Sequence, residues 1–103
     1  MNFLHTDKEV HEAVGGKITK NNWAVTGVSI DSRTILKGEL FIAIKAERDG
    51  HEFLKSAIHN GAVAAIVNRI PMDTPRDFPC IVVKDSFRAL NDLAHFSRKS
   101  DLF

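Results

Sequence analysis

The chain has one cysteine, and that scarcity removes a class of folds. Cys80 has no partner for an internal disulfide, so a small scaffold held by disulfide staples is excluded. Its setting, Pro79 before and Ile81, Val82 and Val83 after, reads as a buried strand residue in a reducing compartment; a reactive thiol needs a basic, partly exposed site. An excess of charge is missing too. Fourteen Lys and Arg stand against thirteen Asp and Glu, a formal net charge of +1, and the signs are interspersed. Nothing here forms the basic footprint that holds a polyanion, so nucleic acid is not an expected partner. No apolar run approaches membrane-spanning length, and Met1-Asn2-Phe3-Leu4-His5-Thr6-Asp7 lacks the charged and apolar regions of a signal peptide. The expected location is the cytoplasm, with no membrane partner.

Several chemistries are also unrepresented. There is no phosphate loop of the form G-x-x-x-x-G-K-S/T and no serine in a nucleophile-elbow pattern. His5, His11, His51, His59 and His95 include no pair at i, i+4 spacing with an intervening acid, so no metal site is expected. Glu47 and Asp49 are the close acidic pair, which is thin support for a two-carboxylate hydrolase. Trp23 sits at a strand start and reads as packing rather than a platform for base stacking. No repeat or low-complexity tract is present.

What is present suits one folded domain over residues 1–103, with 44% of the chain apolar. Thr6 followed by Glu9 is a capping box, with Leu4 or His5 and Val10 as a staple, and predicts a helix to Val14 ended by Gly15-Gly16. Trp23 to Ile30 predicts one strand with a bulge at Gly27. Leu40 to Ile44, after a Lys37-Gly38 turn, is a continuous apolar run and predicts a strand covered on both faces. Phe53, Leu54, Ala57 and Ile58 recur at helical spacing before Asn60-Gly61, and Ala62 to Val67 is a second buried strand. Strand, helix, strand requires a parallel crossover. Asn68 to Pro79 holds all three prolines and reads as a surface loop before the strand Cys80 to Val83. Asp85 caps a last helix with Phe87, Leu90, Leu93, Ala94 and Phe96 on its apolar face. Behind it Arg98 to Phe103 offers no stop signal and reads as a boundary or linker. The expected class is α/β, a small mixed and largely parallel sheet flanked by about three helices.

In open parallel sheets, ligands settle where strands end and backbone N–H groups are exposed. Two segments fit. Ile30-Asp31-Ser32-Arg33 follows one strand, and Lys45-Ala46-Glu47-Arg48-Asp49-Gly50-His51 follows another. Ser32 offers a hydroxyl, while Arg33, Lys45 and Arg48 offer positive charge, a set suited to the diphosphate of a nucleotide. The same residues also make ordinary structure. Asp31-Ser32 begins many turns, Arg33 can be solvated or paired with Glu39, and Asp49 can serve only as a helix N-cap.

Four motifs in order then sharpen the reading: Ser29-Ile30-Asp31-Ser32-Arg33, Lys37-Gly38-Glu39-Leu40-Phe41-Ile42-Ala43-Ile44-Lys45, Asp49-Gly50-His51-Glu52-Phe53, and Asn60-Gly61-Ala62-Val63-Ala64-Ala65-Ile66-Val67. This series resembles the amino-terminal domain of the Mur ligases, and the likeness continues through Val83-Lys84-Asp85 to Leu93-Ala94. The resemblance implies a domain that binds the UDP-N-acetylmuramoyl part of UDP-N-acetylmuramoyl-tripeptide, to which the intact, ATP-dependent cell-wall ligase adds D-alanyl-D-alanine. Addition of the third peptide residue is the alternative, as is a stand-alone nucleotide-binding module. By the same resemblance, Ser32 and Arg33 face the nucleotide sugar and phosphates, Lys45 to Arg48 wrap the uridine, and Asp49-Gly50-His51 holds that loop against the next helix. ATP and Mg2+ are then cofactors of the intact ligase and not of this domain, which alone is expected to be non-catalytic. The chain departs from the family pattern in having Ala46 in place of glycine and one residue fewer between Arg48 and Asp49.

Overall fold

The computed structural model describes residues 5–44 and 49–99, with side chains as far as His95. Helix α1 (Asp7–Val14) starts at the predicted capping box. The Glu9 N–H donates to Thr6 Oγ1 at 3.2 Å and the Thr6 N–H to Glu9 Oε1 at 3.0 Å, which satisfies two of the backbone donors that a helix start leaves open. Of the staple, His5 and Val10 are buried, and Leu4 lies outside the described residues.

The buried apolar runs become the middle of a five-stranded sheet. In chain order the strands are β1 (His5–Thr6), β2 (Lys17–Ile18), β3 (Ala24–Val25), β4 (Val28–Ser29), β5 (Leu40–Ile42), β6 (Ala64–Val67) and β7 (Cys80–Val82). The sheet order is β2-β7-β6-β5-β4, parallel throughout except for β2, while β1 and β3 form a separate antiparallel pair. Two-residue periodicity divides the runs between two cores. Leu40, Ile42, Ala64, Ile66, Ile81 and Val83 pack on one face with Val10 of α1 and with Ala89 and Leu93 of α3 (Ser86–Lys99). Phe41, Ala43, Ala65, Val67 and Cys80 pack on the other with Leu54 and Ala57 of α2 (Leu54–His59). Burying each large apolar side chain contributes about 1.5–3 kcal/mol, so strands covered on both faces carry a double share of the core.

A 3-10 turn (Gly50–Phe53) leads into α2, and α2 ends as Asn60-Gly61 predicts. Gly61 takes φ 115°, a left-handed angle that disfavours any side chain. Its N–H reaches the Ile58 carbonyl at 3.1 Å and the Ala62 N–H reaches Ala57 at 2.9 Å, the pair of bonds of a Schellman ending. Asp85 caps α3, accepting the Arg88 N–H at 3.1 Å. The segment 68–79 is a loop folded by two turns, Thr74 N–H to Pro71 and Phe78 N–H to Pro75, each 3.0 Å.

The expected strand from Trp23 to Ile30 is corrected. It is two strands in different sheets, broken at Thr26-Gly27. Ala24 and Val25 pair with β1, whereas Val28 and Ser29 pair with β5, and a bulge cannot serve two partners in two sheets. Trp23 is buried in the core and donates its ring N–H to the Lys20 carbonyl at 2.7 Å.

Candidate functional site

Because β4 and β5 are parallel neighbours, with Ser29 level with Phe41, both chains leave the sheet in the same direction. The turn after β4 is bound mainly by its own residues. Ser29 Oγ accepts the Asp31 N–H and donates to the Asp31 carbonyl, both at 3.1 Å. Asp31 Oδ1 accepts the Arg33 N–H at 2.9 Å, and the guanidinium closes on the carboxylate at 3.2 Å through Nε and Nη2. This side-chain contact, helped by the backbone N–H, holds the Asp31 carboxyl below its ordinary value and raises Arg33. Arg33 is therefore paired with Asp31 and not with Glu39, whose Oε1 accepts the Leu36 N–H at 2.8 Å. With its side chain 85% exposed, Arg33 remains open to an anion, as is Ile30 to an apolar group. Ser32 is buried, and its carbonyl accepts Asn60 Nδ2 at 2.7 Å.

The second segment is built differently. Lys45, Ala46, Glu47 and Arg48 lie outside the described residues. Asp49 caps the 3-10 turn, accepting on Oδ1 both the His51 N–H at 3.0 Å and His51 Nδ1 at 2.6 Å, while Oδ2 accepts Arg69 Nη2 at 3.0 Å. The His51 ring and backbone, with Arg69 adding to them, hold the Asp49 carboxyl low against the opposing effect of burial. Gly50 is needed where it stands. Its N–H donates to the Ile44 carbonyl at 2.9 Å, and an added Cβ would lie 2.6 Å from the Ile44 nitrogen and 2.7 Å from its oxygen. His51 is buried, and Nε2 accepts the Asn68 N–H at 2.8 Å. An amide N–H only donates, so Nε2 carries a lone pair and Nδ1 the proton given to Asp49.

The two segments do not touch through any hydrogen bond of the described residues. Asp49 caps the start of the helical unit Gly50–His59 and Asn60, which holds Ser32, closes its end. Four residues at 3-10 rise and six at α rise set these ends about 17 Å apart.

Sequence reasoning missed Asn68 and Arg69, reading them as the start of a loop. Asn68 directly follows β6, and its Nδ2 donates to the Val83 and Lys84 carbonyls at 3.1 and 3.0 Å while Oδ1 accepts Ser86 Oγ at 3.2 Å. Its place just past a buried parallel strand was the available signal. Beside it an open cleft of about 740 Å³ lies between the end of α1 and the start of α3, walled by Gly16, Asn68, Lys84, Asp85, Arg88 and Asp92, and containing none of the predicted site residues. Cys80 is buried, which pushes its thiol up to about 11 and keeps it protonated, as its apolar setting implies. The described parts of the two segments thus comprise an exposed guanidinium paired with Asp31 and a capped turn locked from behind by the buried His51 ring.

Residues 24–97 match the Mur ligase family, catalytic domain. The chain is 36% identical over 98 residues, 95% of its length, to the UDP-N-acetylmuramoyl-tripeptide–D-alanyl-D-alanine ligase of Rickettsia prowazekii, of which it covers 21%. It is 42% identical over 83 residues, 79% of its length, to the UDP-N-acetylmuramoyl-L-alanyl-D-glutamate–2,6-diaminopimelate ligase of Chlorobium phaeobacteroides, of which it covers 16%. Among solved structures, MurF from Acinetobacter baumannii superposes with a TM-score of 0.84 at 27% identity, over 96% of this chain and 22% of that one. The chain thus spans about a fifth of the length of these relatives. With the family match over residues 24–97 and a parallel α/β core shared with MurF, the chain belongs to the Mur ligase family.

Proposed function

We propose that this chain binds the UDP-N-acetylmuramoyl end of a peptidoglycan precursor and serves catalysis by placement. The observation that carries the reading is the parallel pairing of β4 with β5, which sends both predicted segments off the sheet in the same direction. Ile30, Asp31, Ser32 and Arg33 would meet one end of the ligand, and Lys45, Ala46, Glu47 and Arg48 the other, with Asp49, Gly50 and His51 holding that second segment in place. A nucleoside, a diphosphate and a sugar in line make an extended handle, suited to a site whose ends are set apart by the length of the helical unit Gly50–His59. Holding that handle uses binding energy remote from the reacting carboxylate to position it.

The precursor we favour is UDP-N-acetylmuramoyl-tripeptide, to which the intact ligase would add D-alanyl-D-alanine, in the cytoplasm where such precursors are made. The second reading, the ligase that adds the third peptide residue, is supported by the 42% identity to a 2,6-diaminopimelate ligase. ATP and Mg2+ belong, on this reading, to the intact ligase and not to this chain, whose sequence holds no phosphate loop. Titration calorimetry with UDP-N-acetylmuramoyl-tripeptide should show weak binding displaced by UDP, with no ATP hydrolysis by the chain alone. Absence of heat and of competition by UDP would sink the proposal. UDP-N-acetylmuramoyl-L-alanyl-D-glutamate as titrant addresses the second reading, which gains if it binds and the tripeptide form does not.

A further inference from the structure

Asn68 has an unusual number of obligations for a residue at a strand end. Its backbone N–H donates to His51 Nε2, its Nδ2 donates to the Val83 and Lys84 carbonyls, and its Oδ1 accepts Ser86 Oγ. Every donor of the residue is engaged, and the contacts reach three places: the turn after β5, the chain leaving β7 and the first residue of α3. The His51 ring is the middle of this chain of bonds. Its side chain is 4% exposed, and it passes from Asp49 on one side to Asn68 on the other. Arg69, the next residue along, grips the second oxygen of Asp49. The segment that carries Asp49 is thus tied twice to the chain just past β6, through His51 to Asn68 and directly to Arg69.

A ring in this position has one tautomer that satisfies both neighbours. With the proton on Nδ1, Asp49 accepts and Asn68 donates; with the proton on Nε2, two N–H groups face each other and a carboxylate oxygen faces a bare nitrogen. We propose that Asn68 is a positioning residue for the nucleotide site, fixing the His51 ring in its Nδ1–H form and so fixing where Asp49 and Gly50 stand relative to the sheet. The inference rests on the nucleotide-binding reading above. Asn68 touches no ligand in it. The residue acts through His51, and its grip on the β7–α3 connection keeps its own backbone N–H aimed at the ring.

Nitrogen-15 two-bond correlation spectra of the chain test the tautomer without any ligand: His51 should show a protonated Nδ1 and an unprotonated Nε2 at neutral pH. Calorimetry with UDP then tests positioning. His51→Leu removes the acceptor and should weaken UDP binding about tenfold. His51→Gln can present an amide oxygen where Nε2 stands, and should recover most of that loss. Ser86→Ala removes only the hydroxyl that holds Asn68 Oδ1, and should cost about threefold while leaving the fold intact, which keeps the test alive if the leucine variant does not fold. The proposal is overturned by an Nε2–H tautomer, or by folded leucine and Ser86→Ala variants that bind UDP as the parent chain does. If the parent chain itself fails to bind UDP, the nucleotide reading falls and the positioning role with it, a result distinct from normal binding by the variants.

Discussion

The turn after β4 and the turn after β5 leave adjacent parallel strands, yet they are held by different means. Asp31 to Thr34 is held mainly from within: Asp31 accepts from Arg33 two residues on, and the Thr34 N–H closes to the Asp31 carbonyl at 3.3 Å. Asp49 to His51 is tied to residues far along the chain, to Asn68 and Arg69, and it presses Gly50 against the Ile44 backbone. A turn held mainly by near neighbours leans on the rest of the molecule only at the Ser32 carbonyl, which Asn60 holds, and its arginine, though paired with Asp31, stays exposed to a ligand. A turn held by distant partners inherits the rigidity of the core, and it is weakened when one partner is lost.

The contrast can be broken or sharpened by substitution. The largest effect should come from Gly50→Ala, since the new methyl meets backbone that cannot swing aside; urea denaturation should show a loss of about 2–3 kcal/mol. Next, Asp49→Ala removes the cap of the 3-10 turn and should cost about 1–2 kcal/mol, more than Asp31→Ala in the same measurement. Equal losses would remove the distinction between the turns. The acid limb gives a third comparison. Both carboxyls are held below the ordinary value of 3.8, so the unfolded chain binds more protons as pH falls. Their stabilisation is complete above that ordinary value and is lost as pH drops through the lowered one. Asp49→Asn should flatten the acid limb of the stability curve more than Asp31→Asn, because Asp49 also serves Arg69. The smallest effect on stability is expected for Arg33→Ala, which should leave the urea midpoint in place while weakening UDP binding.

The same distinction explains what the sequence discloses. Strands β5, β6 and β7 are legible because they are apolar on both faces, and the ends of α1 and α2 are legible because Thr6, Glu9 and Gly61 act on residues within one turn. The Asp31 turn and the Asp49 cap are local and were readable for that reason. Strands β1 and β2 were not, since two residues carry no periodicity and their pairing is set by partners as distant as Val82 for Lys17. The break at Gly27 went unread because it depends on which sheet each half joins. Asn68 escaped notice because a single asparagine at the start of a proline-rich stretch looks like any loop residue until its four contacts are seen together.

The sheet is clad on both faces by helices, which leaves the tips of its parallel strands as the ground on which a ligand of this fold class settles. Recognition and interior are then separable by construction. Turns at those tips can be exchanged in length or chemistry while the layers beneath keep their registration. One scaffold of this kind can serve a series of related ligands by altering only its rim.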